Sequence, residues 1–231
     1  MRLLMTSPFA PVTALDSQLS LIKFLLPLSQ DVTHLPRCLG AIDTICHLGC
    51  LAHEIVAVDD ASADGTAAEA RRYAHFMPLW LIQHRQPMGR SVAFRTTVEA
   101  ACRDISDDDL LVPIDPTRRL DAQTVLRAIA AVRAGWDAVV APVRTGMRGD
   151  CGDSGLQNVT AFRAGLVKEH LAGFLATLPA EDSVAMSQLD RYLRSLGVPF
   201  HRLAARRLEM MTRGIPVEPI SPLRPLVGRT H

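Results

Sequence analysis

A mostly parallel α/β sheet with helices on both faces is the fold class this sequence predicts, and three observations predict it. Short apolar runs bounded by turn residues recur along the chain, and stretches of helical period alternate with them, which is the pattern of βαβ units. Hydrophobic residues make up 48% of the composition but aromatic ones only 5%, so the packing rests on Val, Ile, Leu and Ala. At 231 residues the chain suits one α/β core with irregular additions rather than two independent domains.

Strands are expected at Leu21 to Leu28, Glu54 to Val58, Leu79 to Gln83, Leu110 to Ile114 and Ala138 to Val143, each the length of a strand buried on both faces. The helix after the first strand starts near Thr33 and accepts Pro36 in its first turn, where a missing N–H is no loss. It carries Leu35, Leu39, Ile42 and Ile45 on one stripe until Gly49 stops it. Similar helices follow at Thr66 to Phe76, Gly89 to Arg103 and Asp121 to Ala134, the last with Val125, Ile129 and Val132 facing inward and Gly135 at its end. A later helix, Asp182 to Leu196, presents Leu189, Tyr192, Leu193 and Leu196 at helical spacing before Gly197. Arg144 to Gly155, rich in Gly and Asp, reads as a mobile loop. Pro216, Pro219, Pro222 and Pro225 recur every third residue, which suits a polyproline II arm serving as a surface strap or a docking peptide. The chain thus divides into an N-terminal extension (1–20), a single domain (21–214) and a Pro-rich arm (215–231).

Composition excludes several classes of function. With 25 basic against 24 acidic residues the formal charge is +1, so no global field draws the chain to nucleic acid or an anionic membrane. A small molecule or another protein is the expected partner, and a homodimer is compatible with the reading. The cysteines Cys38, Cys46, Cys50, Cys102 and Cys151 are an odd set without the spacing of a disulfide scaffold, which favours the cytoplasm. The run from Leu21 to Leu28 is too short to cross a bilayer, and the first twenty residues lack the parts of a signal peptide. Cys46, His47, Cys50 and His53 invite a soft-metal reading, but their spacing departs from zinc patterns, and Cys46 and Cys50 are read as packed core residues. The acids Asp104, Asp107, Asp108 and Asp109 are read as a solvated loop.

In an open parallel sheet ligands bind at the carboxyl ends of the strands, and those ends carry Ser29, Gln30 and Asp31, then Asp59 and Asp60, then Asp115. The run Asp59-Asp60-Ala61-Ser62-Ala63-Asp64-Gly65-Thr66 follows the apolar Ile55 to Val58. It supplies carboxylates able to accept bonds from a base or ribose, with Asp64 and Thr66 serving the turn and the helix start. The segment resembles the nucleotide-sugar site of GT-A fold, family-two glycosyltransferases, in which the second strand ends in a similar Val-Asp-Asp-x-Ser-x-Asp-Gly-Thr. Leu26 to Asp31 resembles that family's Pro-x-Tyr-Asn-Glu, with Ser29 and Gln30 departing from Tyr and Asn. Gly89 to Arg95 is similar to its Gly-x-x-x-Ala-Arg-Asn helix start, with Arg95 where Asn is usual.

The resemblance implies that Pro27 and Gln30 border the base, Asp60 bonds the uracil or guanine edge, and Arg90 lies near the diphosphate, unless Arg90 is merely a solvated first-turn side chain. Arg213, in Met211-Thr212-Arg213-Gly214, would touch phosphate from a loop that closes over the donor. Where the family has Asp-x-Asp this chain has Asp115-Pro116-Thr117. By resemblance Asp115 touches ribose, while Thr117 replaces the carboxylate that binds a divalent cation, Mn or Mg. Four outcomes follow: weak metal binding, a shell completed by Asp153 or His201, positive charge supplied by Arg118 and Arg119, or lost catalysis. Glu181-Asp182 resembles the acidic pair of inverting members, with Asp182 as the base, although a helix N-terminal acid reads the same way.

The function so implied is an inverting glycosyltransferase moving a sugar from a nucleotide-diphospho-sugar donor to a hydroxyl of a glycan or lipid-linked acceptor. The alternative of another class is a catalytically impaired GT-A-like pseudoenzyme that binds nucleotide or acts as a scaffold. A methyltransferase-like domain is a third reading, weakened by the missing Gly-rich first loop.

Overall fold

A computed structural model describes residues 20–144, 156–177, 187–204 and 206–207. The expected strands are present as β1 (Ile22–Leu28), β2 (His53–Asp59), β3 (Leu79–Gln83), β4 (Leu110–Pro113) and β5 (Ala138–Arg144). Three more complete the sheet: β6 (Leu156–Arg163), β7 (His201–Arg202) and β8 (Arg206–Arg207). The order across the sheet is β3-β2-β1-β4-β6-β5-β7, with β8 also on β5. β6 pairs antiparallel with both β4 and β5, and the other described pairs are parallel.

The helices are α1 (Leu35–Gly49), α2 (Thr66–Tyr73), α3 (Arg90–Arg103), α4 (Ala122–Arg133), α5 (Ala164–Ala176) and α6 (Ser187–Ser195). Side chains alternate across a strand, so β1 sends Phe24, Leu26 and Leu28 to one core with the helices α1, α2 and α4. Leu25 goes to the opposite core, shared with α3, α5 and α6. The stripes read from sequence are buried: Leu35, Leu39, Ile42 and Ile45 on α1, and Val125, Ile129 and Val132 on α4. Lys23, on the second face of β1, is buried yet satisfied, donating to the Asp104 carbonyl at 2.9 Å and pairing with Glu54 at 3.4 Å.

Several readings are corrected. Gly49 is the last residue of α1, and Cys50 makes the left-handed turn after it (φ 46°), which leaves Cys50 exposed rather than packed, whereas Cys46 is in the core. Leu196 is exposed, beyond the buried stripe of Leu189 and Leu193. The acidic loop before β4 is not merely solvated, because Asp109 accepts from the Leu21 amide at 2.7 Å and the Ser106 amide at 2.9 Å, tying that loop to the start of β1. Neither β6 nor α5 was expected. β6 mixes Gln157, Asn158 and Thr160 into its apolar residues, and α5 is apolar on several sides, so neither shows a clean period. Of the loop read at 144–155, Arg144 ends β5 and the rest lies outside the described residues, as do the N-terminal extension up to residue 19 and the Pro-rich arm. No helix among the described residues is long and apolar enough to cross a membrane.

Candidate functional site: the crevice between β1 and β4

Chain order reverses at β1: β2 and β3 lie on one side of it and β4 on the other, which makes the carboxyl ends of β1 and β4 the topological switch point where open α/β sheets bind ligands. Two prolines shape it. Pairing of β1 with β4 stops at Leu25↔Pro113, with one further bond from the Ile114 amide to the Leu25 carbonyl at 2.9 Å. Pairing of β1 with β2 continues to Leu28↔Asp59. Pro27 therefore sits in a central strand where its missing N–H leaves no ladder bond unmade, because β4 has already turned away.

The turn after β1 is held from three directions. Gln30 adopts a left-handed backbone (φ 55°), its amide bonded to Ser62 Oγ at 2.9 Å and its side chain exposed to the crevice edge. The Asp31 carboxylate is buried, accepting from the Ser29 amide at 2.7 Å, and the Asp31 amide donates to Thr66 Oγ1 at 2.8 Å. Arg90, in the first turn of α3, reaches across the ends of both strands. Its Nη2 donates to the Ser29 carbonyl at 2.9 Å and pairs with Asp31 at 2.9 Å, while Nη1 approaches the Pro27 carbonyl at 3.4 Å. Arg90 is thus a brace for the turn that carries Pro27 and Gln30, neither free in solvent nor an uncommitted cation.

The turn after β2 divides its acids by task. Asp64 accepts from Thr66 (amide 3.0 Å, hydroxyl 2.6 Å) and from the Val32 amide at 3.1 Å, which is the turn and helix-start role expected of it. Asp59 is fully buried; its Oδ2 accepts from the Ser62 amide and Gln83 Nε2, both at 3.2 Å, and its Oδ1 has no partner among the described residues. Asp60, 4% exposed, accepts three bonds: His84 Nδ1 at 2.7 Å, the Met88 amide at 2.9 Å and the Gly89 amide at 2.7 Å. Burial pushes its carboxyl up, but the bonds from His84, Met88 and Gly89 outweigh it and hold the group below its ordinary value of 3.8. A carboxylate offers about four acceptor positions, so one is left unused among the described residues. His84, which also meets Thr96 Oγ1 at 3.1 Å, was not anticipated, although it follows directly on β3 at the same sheet edge.

Asp115, two residues past β4, lies on the far side of β1 from Asp60, at the same edge. Both its oxygens are engaged within its own turn. Oδ1 accepts from the Thr117 amide at 3.0 Å and hydroxyl at 2.7 Å, and Oδ2 from Arg118 Nε at 3.2 Å. Arg37 Nη2 donates to the Thr117 carbonyl at 3.0 Å, so two guanidinium groups attend this turn. A divalent cation wants several oxygen donors. Here the second carboxylate is replaced by a hydroxyl that donates to the first, and an arginine occupies the other oxygen. The described residues do not fit a metal at this turn, and among them no three His, Cys, Asp or Glu side chains are placed to hold one.

The sheet does not bring His201 to this place. His201 is on β7, beyond β6 and β5 from β4, about three strand spacings or roughly 14 Å across the sheet. It pairs with Val139 near the start of β5 and stacks on Trp136 with ring centroids 4.1 Å apart. Glu181, Asp182, Asp153 and Arg213 lie outside the described residues.

No protein-family profile matches the chain, and no curated protein does. Among solved structures it is similar to the 4-diphosphocytidyl-2C-methyl-D-erythritol synthase of Anaerococcus prevotii, with a TM-score of 0.57 and 12% identity over 82% of this chain and 88% of that one. It is similar to Staphylococcus aureus TarS 1-349 (TM-score 0.57, 12% identity, 80% of this chain, 58% of that one). A third likeness is to the mannosyltransferase PcManGT of Pyrobaculum calidifontis, solved with GDP-Man and Mn2+ (TM-score 0.55, 16% identity, 85% of this chain). The chain spans only 58% and 59% of the TarS and PcManGT chains. Fold and comparisons agree on a mostly parallel α/β architecture that the chain shares with these solved structures.

Proposed function

We propose that the chain is an inverting glycosyltransferase that moves a sugar from a nucleotide-diphospho-sugar to a hydroxyl of a glycan or lipid-linked acceptor. The observation that supports the reading is that Asp60 and Asp115 follow the carboxyl ends of β2 and β4, the two strands that flank β1, with the exposed Gln30 just after β1 itself. The fold itself is similar to that of a 4-diphosphocytidyl-2C-methyl-D-erythritol synthase, so fold alone does not single out sugar transfer. The Asp59 to Thr66 run and the Glu181-Asp182 pair favour sugar transfer. TarS was solved with UDP-GlcNAc and PcManGT with GDP-Man, which supports a uridine or guanosine donor here.

In this reading the base lies against Pro27 and Gln30 and donates to the remaining lone pair of Asp60, while ribose hydroxyls donate to Asp115. Arg118 and Arg119 supply the positive charge that the leaving diphosphate needs, with Arg213 a further donor, and no step is routed through a divalent cation. Asp182, with Glu181 beside it, removes the acceptor proton as the acceptor oxygen bonds the anomeric carbon. The carbon–oxygen bond to the diphosphate breaks on the opposite face, inverting the centre. The site would work in the cytoplasm.

Calorimetric titration with uridine and guanosine diphospho-sugars, with and without Mn2+, followed by donor-hydrolysis and transfer assays, tests this. Binding should occur without added metal, and Asp115→Asn should weaken it by roughly 10- to 100-fold, the loss of a charge-assisted bond. Asp182→Asn should keep donor affinity and lose about 10²- to 10⁴-fold in turnover. A second reading is favoured by the substitution of Thr117 for a metal-binding carboxylate: a pseudoenzyme, shown by binding without turnover in the wild type. No nucleotide binding at all would sink both site assignments.

A further inference from the structure

The turn after β4 gathers more positive charge than its one carboxylate balances. Arg37, in the first turn of α1, donates a single bond there, from Nη2 to the Thr117 carbonyl at 3.0 Å, and Arg118 donates Nε to Asp115 Oδ2 at 3.2 Å. A guanidinium carries five N–H donors, so each keeps most of them unused among the described residues. Thr117 and Asp115 are themselves joined, hydroxyl to Oδ1 at 2.7 Å, so both arginines are anchored on one short span of chain. Neither is hidden from a ligand: Arg37 is exposed, the Arg118 side chain is 46% exposed, and the next residue, Arg119, is exposed as well. The buried Cys38, beside Arg37, reports the same convergence. Burial pushes its thiol up to about 12, and the charges of Asp115, Arg37 and Asp31 all act on it, so the start of α1 lies within electrostatic range of the turns after both β1 and β4.

Arg90, which the resemblance sets near the diphosphate, is closed on Asp31 and the Ser29 carbonyl, so its charge is already answered. The donors around Asp115 suit a divalent cation badly, since the hydroxyl of Thr117 and the guanidinium of Arg118 occupy its oxygens. What they suit is an anion. Planar guanidinium forks bond several phosphate oxygens at once, and the amino end of α1, with no acid in its first turn and no side-chain cap, adds to the same field. We propose that Arg37 is a phosphate-binding residue, which together with Arg118 grips the diphosphate of the nucleotide donor directly, where a divalent cation would otherwise bridge it. The proposal rests on the reading of the crevice as a nucleotide-diphospho-sugar site and adds to it a contact supplied by α1.

Calorimetric titration of the full chain in EDTA with UDP, GDP, uridine, guanosine and inorganic pyrophosphate tests it. At least one diphosphate should bind about tenfold or more tightly than its nucleoside, and pyrophosphate should compete with it. Arg37→Gln should lower the affinity for that diphosphate and for pyrophosphate by roughly tenfold, the loss of a charge-assisted bond, and leave the nucleoside within about twofold. A merely structural role, in which Arg37 holds the Thr117 turn and through it Asp115, would weaken nucleoside and diphosphate alike. Arg37→Lys keeps the charge without the fork and should fall between wild type and Arg37→Gln. Arg103→Gln removes an exposed charge at the opposite end of α3 and should change nothing. The proposal is overturned by a diphosphate that binds only once Mn2+ is added, by a nucleoside that binds as tightly as its diphosphate, by Arg37→Gln acting on both ligands equally or on neither, or by no saturable binding of pyrophosphate or either diphosphate. If pyrophosphate binds and Arg37→Gln weakens it while no nucleoside or nucleoside diphosphate binds, Arg37 stands as a phosphate-binding residue and the nucleotide reading falls.

Discussion

Asp60 makes a testable case at the scale of a single residue, because its three internal bonds all favour the ionised form. A carboxyl whose folded pKa is depressed adds stability that is present above its unfolded value and lost as pH falls through the folded one. Urea unfolding of Asp60→Asn should therefore show a loss of about 1.5–3 kcal/mol at neutral pH, the cost of charge-assisted bonds. The gap to wild type should narrow as pH drops below 3.8, and a gap independent of pH would mean the bonds are not ionic. Which polar residues lie at the carboxyl ends of the strands was legible from the ends of the apolar runs, as for Asp60, Gln30 and Asp115. Their partners were not. Nothing in the local spacing announces that His84, 24 residues on, will take up one oxygen of Asp60, or that Arg90, 59 residues from Asp31, will close on it.

At the scale of elements, the approach to α3 depends on one glycine. Gly89 precedes the helix at φ 95° and ψ 146°, a region nearly closed to residues with a Cβ, and it donates its amide to Asp60 at 2.7 Å. A Cβ placed there would meet nothing within 4 Å, so the cost of Gly89→Ala is one of backbone conformation alone. We expect about 1–3 kcal/mol lost in thermal or urea unfolding and, under the proposed function, weaker nucleotide binding through the displaced Asp60. A neutral result would mean the segment relaxes without strain. Helices and strands with a clean period, α1 and α4 or β1 and β2, were readable because each buries a regular stripe or run. The strand β6 and the helix α5 were not, since polar residues interrupt the one and the other is apolar on several sides, and the charged residues Arg163 and Lys168 find their partners on distant segments. Arg163 at the end of β6, for example, is paired with Asp137 at 2.9 Å and Asp108 at 3.3 Å.

At the scale of the whole molecule, β6 joins the crevice half of the sheet to the β5–β7 half, pairing with β4 on one side and β5 on the other. Phe162 on that strand is fully buried in the core shared with α3, α5 and α6 and meets Phe200 edge-on at 6.0 Å. Phe162→Ala should cost about 3–5 kcal/mol, the range for emptying a buried aromatic site. Because the two cores share one sheet, the denaturant slope should stay that of the wild type while the midpoint falls. A second transition, seen when circular dichroism and fluorescence disagree, would show that the halves unfold separately.

Periodicity and turn chemistry are local, so the order of residues alone determined the parallel α/β class, the first five strands, and the acids and prolines at their carboxyl ends. Strand order, desolvation and charge pairing join residues far apart in the chain, and tertiary structure alone decided them. It placed the switch point between β1 and β4 and kept His201 at the far edge. It turned Arg90 inward as a brace and brought Arg37 from α1 to the turn after β4.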